Sequence, residues 1–237
     1  MEANQMTRSN PARISRLIGS LFPKTAVAAE LRTAGDPTLL LAPEMAALCR
    51  AVPQRIQEFA AGRLCARRAL ERLGFGAFPV VVSPNREPVW PDTVIGSITH
   101  TDGLCAAVVA PRESFFGIGL DAEVVGAVNP AIWRRVCAPA ELVWLETLAP
   151  GVRAAAVTLV FAAKEAFYKA QYGQTRQWLN FDDVTVTVPR WSADRGRFIA
   201  APRPHLSVAA RAAAPFVGRY RFHGNHVCAG IALAHAA

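Results

Sequence analysis

The sequence of 237 residues predicts an α+β protein with two halves, each combining helical segments with antiparallel strands. Helices and strands are segregated along the chain, and this order disfavours the alternating βαβ units of a Rossmann domain. The Gly117–Gly119 segment GIG also lacks the third glycine of the dinucleotide-binding fingerprint. A polar break at residues 111–114 predicts a boundary near residue 113, so the halves span residues 1–113 and 114–237.

The first half is predicted to contain a helix, a strand and a hairpin. Between Pro53 and Leu73 apolar residues recur every three or four positions, with proline at the start and Gly74 after the end, which predicts a helix. The apolar run FPVVVS, residues 78–83, predicts a strand. Two apolar runs on either side of the turn-rich THTDG, residues 99–103, predict a hairpin.

The second half is predicted to begin with a strand, FFGIGLDAEVV, residues 115–125. A short helix is expected to begin at Pro139, and a longer one to span Arg153–Tyr172 and end at Gly173. Apolar and β-branched runs predict five further strands, at residues 184–188, 197–200, 206–210, 218–222 and 226–234.

The composition excludes two classes of protein. With 52% hydrophobic and 19% charged residues, the chain has enough apolar side chains to fold, so extensive disorder is excluded. No apolar run approaches the ~18 residues of a membrane span, so an integral membrane protein is excluded.

The N-terminus carries Arg8, Arg13 and Arg16 but no apolar signal-peptide segment, so we expect an unprocessed, cytoplasmic chain. Five scattered cysteines predict free thiols, and the net charge of +8 predicts a polyanionic partner.

Two carboxylates stand at the end of the predicted strand that opens the second half. Asp121 and Glu123 are two residues apart, so both side chains lie on one face of a strand. Two like charges after an apolar run need a counter-cation, and a hard divalent ion such as Mg²⁺ suits them. The alternative is a strand end whose acids are simply exposed to solvent.

The long predicted helix carries an acid and a base on one stripe. Within FAAKEAFYKA, residues 161–170, Glu165 and Lys169 are one turn apart, and Tyr172 follows on the same side. Lys164 stands beside the stripe. A solvated ion pair is the alternative, but the aromatic neighbours indicate a packed face, where charges must be paired or bound to metal.

The first half offers groups suited to an anion. The pair Thr99 and His100, in the predicted hairpin turn, supplies a hydroxyl and an imidazole. Arg63 and Arg67 lie one turn apart on the first helix, and Arg86 lies in a loop, so that the three guanidinium groups could clamp a phosphate. Separately, each of these residues is also typical of an ordinary protein surface.

Taken in order, six segments resemble the motifs of phosphopantetheinyl transferases of the surfactin and enterobactin type. They are AGRLCARRAL (61–70), REPVWPD (86–92), GSITHTDG (96–103), GIGLDAE (117–123), FAAKEAFYK (161–169) and NFDDVTV (180–186). The resemblance implies a monomer of two similar α+β halves, each a small antiparallel sheet with a packed helix, related by pseudo-twofold symmetry. It also implies that coenzyme A binds between the halves and that its 4′-phosphopantetheine arm is transferred to a serine of an apo acyl or peptidyl carrier protein, with release of 3′,5′-ADP.

The resemblance also implies roles for individual residues. Asp121, Glu123 and Glu165 would hold Mg²⁺, for which Mn²⁺ is an alternative. Glu165 would take the proton of the attacking serine, Lys169 would protonate the leaving group, and Glu141 would lie near the metal. The implied contacts to coenzyme A are Arg63, Arg67, Arg86, Thr99, His100, Lys164 and Lys169.

Two alternatives from other classes remain open at this stage. A basic nucleic-acid-binding module would explain the charge, although no known recognition pattern appears. A non-catalytic carrier-protein-binding homologue would be expected to lack one of the site residues, and all of them are present. Phe161 and Ala166 stand where many relatives have tryptophan and serine, which leaves the choice of carrier protein, and of a siderophore, polyketide or other pathway, undetermined.

Overall fold

The computed structural model describes residues 10–49 and 51–236 and contains two antiparallel sheets, each covered on one face by a long helix. Arg8, part of the basic N-terminus, lies outside the described residues. The elements of the first half are β1 (Arg13–Ile14), α1 (Arg16–Gly19), β2 (Val27–Leu31), α2 (Ala42–Met45), α3 (Pro53–Arg72), β3 (Val94–Thr101) and β4 (Leu104–Pro111). Those of the second half are β5 (Gly117–Val124), α4 (Trp133–Val136), α5 (Pro139–Glu146), α6 (Pro150–Thr175), β6 (Val184–Thr187), β7 (Arg195–Pro202), α7 (Ser207–Arg211), β8 (Ala212–Ala213), β9 (Phe216–His223) and β10 (His226–His235).

The first sheet has the strand order β1-β2-β4-β3, and α3 covers one of its faces. Small residues on α3, such as Ala66 and Ala69, are fully buried against alternate residues of β4, such as Ala107 and Val109. The β3–β4 hairpin turns at Asp102 and Gly103, and Gly103 has a positive φ of 71°. Strand pairing therefore extends further into the predicted THTDG turn than expected.

The second sheet has the order β5-β10-β9-β7-β6, with β8 paired to the end of β10. Helix α6 packs on β5 and β10. A Cβ atom at Gly117 or Gly119 would overlap the carbonyl oxygens of Ala170 and Ala166, so the two glycines let α6 approach the strand closely. The glycine-rich segment thus serves helix packing, and residues of β5 with the same parity face α6.

The two sheets pack against each other through the faces that the long helices leave free. Ile18, Ile95 and Val108 of the first half share a buried cluster with Leu120 and Ala122 of the second. None of the helices among the described residues is long and apolar enough to cross a membrane.

Strands β3 and β5 meet where the sheets join. The backbone N–H of Leu120 donates to Ser97 Oγ at 3.1 Å, and that of Ala122 donates to Thr99 Oγ1 at 3.1 Å. Hydroxyl groups therefore replace backbone partners at this junction, which fixes β5 against the first half.

The strand predicted at residues 78–83 does not form; a single bridge joins Val82 to Pro88. The backbone groups of this segment find side-chain partners instead. The N–H of Val80 donates to Glu44 Oε1 at 3.0 Å, and its carbonyl accepts from Arg63 Nε at 2.7 Å. Pro79 also lacks an N–H group for a strand ladder. Val80 is therefore fully buried and the rest of the run is half-buried, but the run is not part of a sheet.

Two other predictions were wrong: the end of the long helix and the structure of residues 206–210. The long helix continues through Gly173 to Thr175 and ends at Arg176, which has a left-handed φ of 57°. The segment at 206–210, predicted as a strand, lies mainly in the helical turn α7, with Leu206 and Val208 in the core. A short apolar run fits either structure, because periodicity distinguishes them only over longer segments.

Candidate active site

A cleft of about 840 Å³ lies between α3 of the first half and α6 of the second, with β3 among its walls. The basic side chains that line it are Arg55, Arg63, Arg86, His100, Arg112, Lys169 and Arg176. The carboxylates among its described lining residues are Glu58 and Glu87, and Arg176 forms an ion pair with Glu87 across the two halves. The surplus of positive charge suits an anionic ligand.

Three carboxylates cluster near Lys169 at one side of the cleft. Asp121 is 3% exposed, and its Oδ1 accepts hydrogen bonds from Lys169 Nζ at 2.6 Å and from Thr99 Oγ1 at 3.1 Å. Its Oδ2 is buried without a hydrogen-bond partner. Asp121 and Glu123 lie on the face of β5 towards α6, which carries Glu165.

Burial and the nearby charge of Asp121 raise the pKa values of Glu123 and Glu165. Burial, followed by the charge of Asp121, raises the pKa of Glu123 to about 7. Burial and the charge of Asp121 also raise the pKa of Glu165, although Lys169 opposes both shifts. The cluster therefore holds more negative charge than its single ammonium group compensates.

The chemistry of this cluster fits a hard divalent cation. As the side chains stand, no three His, Cys, Asp or Glu residues in the described ranges have the arrangement needed to hold a metal ion. The donors are nevertheless all carboxylate oxygens, one of them buried and unpaired at Asp121, and their charge is in excess.

Thr99 and His100 lie on β3 and face different environments. Thr99 is 2% exposed, and its hydroxyl accepts from Ala122 and donates to Asp121, so that it orients the acid. His100 lines the cleft, and its Nε2 lies 3.3 Å from a carboxylate oxygen of Glu58. Burial lowers the pKa of His100 despite that carboxylate.

Two of the three predicted arginines reach the cleft. Arg63 is fixed by its bond to the carbonyl of Val80 and lies 4.0 Å above the Phe59 ring, and burial lowers its pKa to about 10. Arg86 lines the cleft from a loop, in a left-handed conformation with a φ of 71°.

Arg67 is not part of this cleft. It is buried on α3, where it pairs with Glu44 and donates to the carbonyl of Leu39. The expected clamp of three arginines is therefore reduced to Arg63 and Arg86, because Arg67 is occupied by an internal ion pair.

Lys164 is also internal. It is 4% exposed, lies 2.8 Å from Glu141, and donates to the carbonyls of Val136 and Phe181 at 2.9 and 2.8 Å. All three bonding directions of the ammonium group are used, so the structure gives Lys164 no free donor for coenzyme A. Glu141 likewise bonds to Lys164 and backbone groups rather than joining the three acids.

Several groups that line the cleft are not among the predicted site residues. Arg55 lies two helical turns before Arg63, so the helical period alone would have found it. Trp90 packs so closely on Gly96 that a Cβ there would lie 2.7 Å from the ring. The pairing of Arg176 with Glu87 joins residues far apart in sequence and has no sequence signal.

Two sequence models of protein families match the chain. Residues 43–110 match "4'-phosphopantetheinyl transferase N-terminal domain", and residues 117–228 match "4'-phosphopantetheinyl transferase superfamily". Together the two matches cover most of both halves.

Individual proteins are similar over most of their length. The chain is 38% identical over 227 residues to 4'-phosphopantetheinyl transferase Svp of Streptomyces mobaraensis, covering 92% of this chain and 89% of that protein. It is 35% identical to 4'-phosphopantetheinyl transferase PptT of Mycobacterium tuberculosis, covering 79% and 84%. It is 37% identical over 144 residues to enterobactin synthase component D of Escherichia coli, covering 59% and 66%.

Proposed function

The chain belongs to the 4′-phosphopantetheinyl transferase superfamily, and from this premise we propose that it transfers the 4′-phosphopantetheine arm of coenzyme A to a serine of an apo acyl or peptidyl carrier protein, releasing 3′,5′-ADP. The observation that carries the proposal is that the cationic cleft lies directly beside the buried cluster of acids. Lys169 belongs to both, because it lines the cleft and bonds to Asp121.

Coenzyme A is the proposed occupant of the cleft. The volume of about 840 Å³ lies within the range of small-molecule sites. Arg63, Arg86 and His100 line it and would face the phosphates, with Arg63 held in place by Val80. Arg67 and Lys164 are left out of the proposed contacts because both are used inside the protein.

Asp121, Glu123 and Glu165 would hold Mg²⁺, or Mn²⁺, which accepts the same oxygen ligands. When bound, such an ion supplies charge neutralisation to the diphosphate. Thr99 would orient Asp121 through its hydroxyl, since the bond to the carboxylate leaves Oδ2 free towards the other acids.

The chain's own residues would move two protons. Glu165 takes the proton of the carrier serine as its oxygen attacks the phosphorus next to the pantetheine, and the raised pKa of Glu165 suits a general base. Lys169 leaves Asp121, orients the diphosphate, and gives a proton to the departing phosphate oxygen of 3′,5′-ADP. Positioning and charge compensation are the main demands of such a transfer.

We also propose that the chain acts as a monomer in the cytoplasm, with halves divided near residue 113. The described cysteines are all free, four of them buried, which agrees with a reducing compartment. Light scattering of the purified chain tests the monomer; a dimer at micromolar concentration would contradict it.

The experiment that tests the function is intact-mass analysis of an apo carrier protein incubated with the chain, coenzyme A and Mg²⁺. We expect the carrier to gain one phosphopantetheine, and EDTA to suppress the gain. Glu165→Gln is expected to abolish transfer, and Glu146→Gln, which alters an exposed acid on α5, is the matched control. Unchanged transfer in Glu165→Gln would remove the proposed base, and failure on both acyl and peptidyl carriers would overturn the carrier assignment.

A further inference from the structure

Four arginines form a cluster on the face of the second sheet that is turned away from α6, and we call this cluster the arginine face. Arg195 and Arg197 lie on β7, and Arg219 and Arg221 lie on β9. The register places Arg195 opposite Arg221 and Arg197 opposite Arg219. Directly paired residues share a face of the sheet, so the four side chains lie together.

The arginine face is separate from the active site. Across the sheet, Arg221 is paired with Cys228, which is paired with Ala122, so all three lie on the face away from α6. Asp121 and Glu123 have the opposite parity and face α6. The first half covers this sheet face at Ala122 and Cys228 but leaves Arg195, Arg197 and Arg219 exposed and Arg221 half-buried.

A second cleft, of about 390 Å³, is lined by the four arginines. Ser20 and Leu21, which follow α1, form one side of it. The carbonyl of Ser20 accepts from Arg219 Nη1 at 3.3 Å, so that the wall also orients one guanidinium group. The arginines therefore line a concave site of small-molecule size.

The charges of the arginine face are poorly compensated. Like charges directly opposite each other on neighbouring strands are destabilising. Among the described residues, the ion pair at this face joins Arg195 to Asp194 at 3.5 Å, and both side chains are more than half exposed. Arg221 Nε is buried without a hydrogen-bond partner. An anion in the cleft would satisfy this donor and relieve the repulsion.

We propose that the arginine face binds a small anion carrying two phosphate groups. The four arginines form two cross-strand pairs, one two-residue step apart, which is roughly 7 Å along a strand. Guanidinium groups bind phosphate in a bidentate manner, so each pair can hold one phosphate group. Both an inorganic diphosphate and a nucleoside bisphosphate carry this chemistry.

Isothermal titration calorimetry of the full chain tests the proposal, with inorganic pyrophosphate as the probe in metal-free buffer. We expect Arg197→Gln/Arg219→Gln to weaken one class of pyrophosphate sites at least tenfold. The matched control is Arg134→Gln/Arg135→Gln, which removes the same charge from exposed positions on α4. Lys169→Gln/Arg86→Gln disables the active-site cleft and is expected to retain the arginine-face binding. Parallel titrations with 3′,5′-ADP then distinguish a nucleotide from a free diphosphate.

Three results would overturn the proposal. The first is that Arg197→Gln/Arg219→Gln binds pyrophosphate with the same affinity as the unmodified chain. The second is that the control variant loses as much affinity, which would mean that binding depends only on net charge. Binding of duplex DNA without any binding of pyrophosphate would assign the face to a macromolecule instead. Thermal unfolding checks the fold of the double variant, whose melting temperature is expected to be unchanged or higher because like charges are removed. The test does not depend on transferase activity.

Discussion

Each half of the molecule contains a buried glutamate with the same kinds of partner. The halves differ in the strand face that packs on the long helix, which is apolar in the first half and carries acids in the second. Glu44, near the start of α2, accepts from the N–H groups of Leu41 and Val80 and pairs with Arg67 of α3. One carboxylate thus joins a short helix, a loop and the long helix of the first half. A buried charge with this many partners is stable only while all of them are present.

Glu141 repeats the arrangement in the second half. It accepts from the N–H of Ala138 at 2.6 Å and of Val186 at 2.5 Å, and it pairs with Lys164 of α6. The pair of Glu44 with Arg67 and the pair of Glu141 with Lys164 thus link equivalent kinds of element, a short helix and a long helix, in the two halves. Arg67 and Lys164 do not line the cleft because each pairs with a buried glutamate that links elements within its own half.

The strands β2 and β5 differ where their frameworks correspond. Leu31 pairs with the second residue of β4, just as Glu123 pairs with the second residue of β10. Ala29 then corresponds to Asp121, and both Ala29 and Leu31 lie in the core under α3. Because apolar residues occupy the corresponding positions of β2, we expect the acids of β5 to serve the proposed chemistry rather than the fold.

The largest expected effect tests the shared glutamate bridge. Glu44→Gln leaves Arg67 buried without its counter-charge, so we expect the free energy of unfolding to fall by about 3–5 kcal/mol. Glu141→Gln should cost a similar amount if the two bridges are equivalent. Urea unfolding measures both, with Glu71→Gln, on an exposed ion pair of α3, as a control expected to change by less than about 1 kcal/mol. A small loss of stability for only one of the two substitutions would show that the two glutamates are not equivalent.

The next effect tests the difference between β2 and β5. Asp121→Asn removes the charge that Lys169 and Thr99 contact, so we expect transfer to slow by roughly 100- to 1,000-fold, as when one charge-stabilising group is lost. The rate of mass gain on the carrier protein measures it. Asp182→Asn, at an exposed acid, is the control. A rate near normal with an intact fold would show that this acid is dispensable.

A smaller effect on activity separates internal cations from those of the cleft. Lys164→Met leaves the buried Glu141 without its counter-charge, so we expect a loss of stability similar to that of Glu141→Gln, about 3–5 kcal/mol. The KM for coenzyme A should stay within roughly twofold of the unmodified value, because Lys164 does not contact coenzyme A in the proposed complex. Arg86→Ala is the counterpart, expected to raise KM by on the order of tenfold with little change in stability. A raised KM in a folded Lys164→Met would restore the lysine to the cleft.

The sequence predicted the elements with a clear period and the acids that share a strand face. Helix α3 and strand β5 were identified correctly, because proline, glycine and the helical period mark the helix and a β-branched, apolar run marks the strand. The sequence could not show that Lys164 is internal while Glu165 lies beside Asp121. The two residues are about 100° apart around the helix, and the pattern does not indicate which of the two sides packs against the rest of the half. The segment around Val80 was misassigned because its backbone partners are side chains of Glu44 and Arg63, distant in sequence.

The smallest effect concerns an acid of the first half that points away from α3. Burial alone would raise the pKa of Glu30, but Ser15, Arg13 and Arg32 lower it below its usual value of 4.5, the opposite of the shift at Glu123 and Glu165. A lowered pKa adds stability above pH 4.5 that is lost as the pH falls through the folded-state pKa. Glu30→Gln should therefore cost on the order of 1 kcal/mol at pH 7 and less at pH 3.5. Urea unfolding at both values checks this, and a cost that does not depend on pH would mean that Glu30 contributes packing rather than charge.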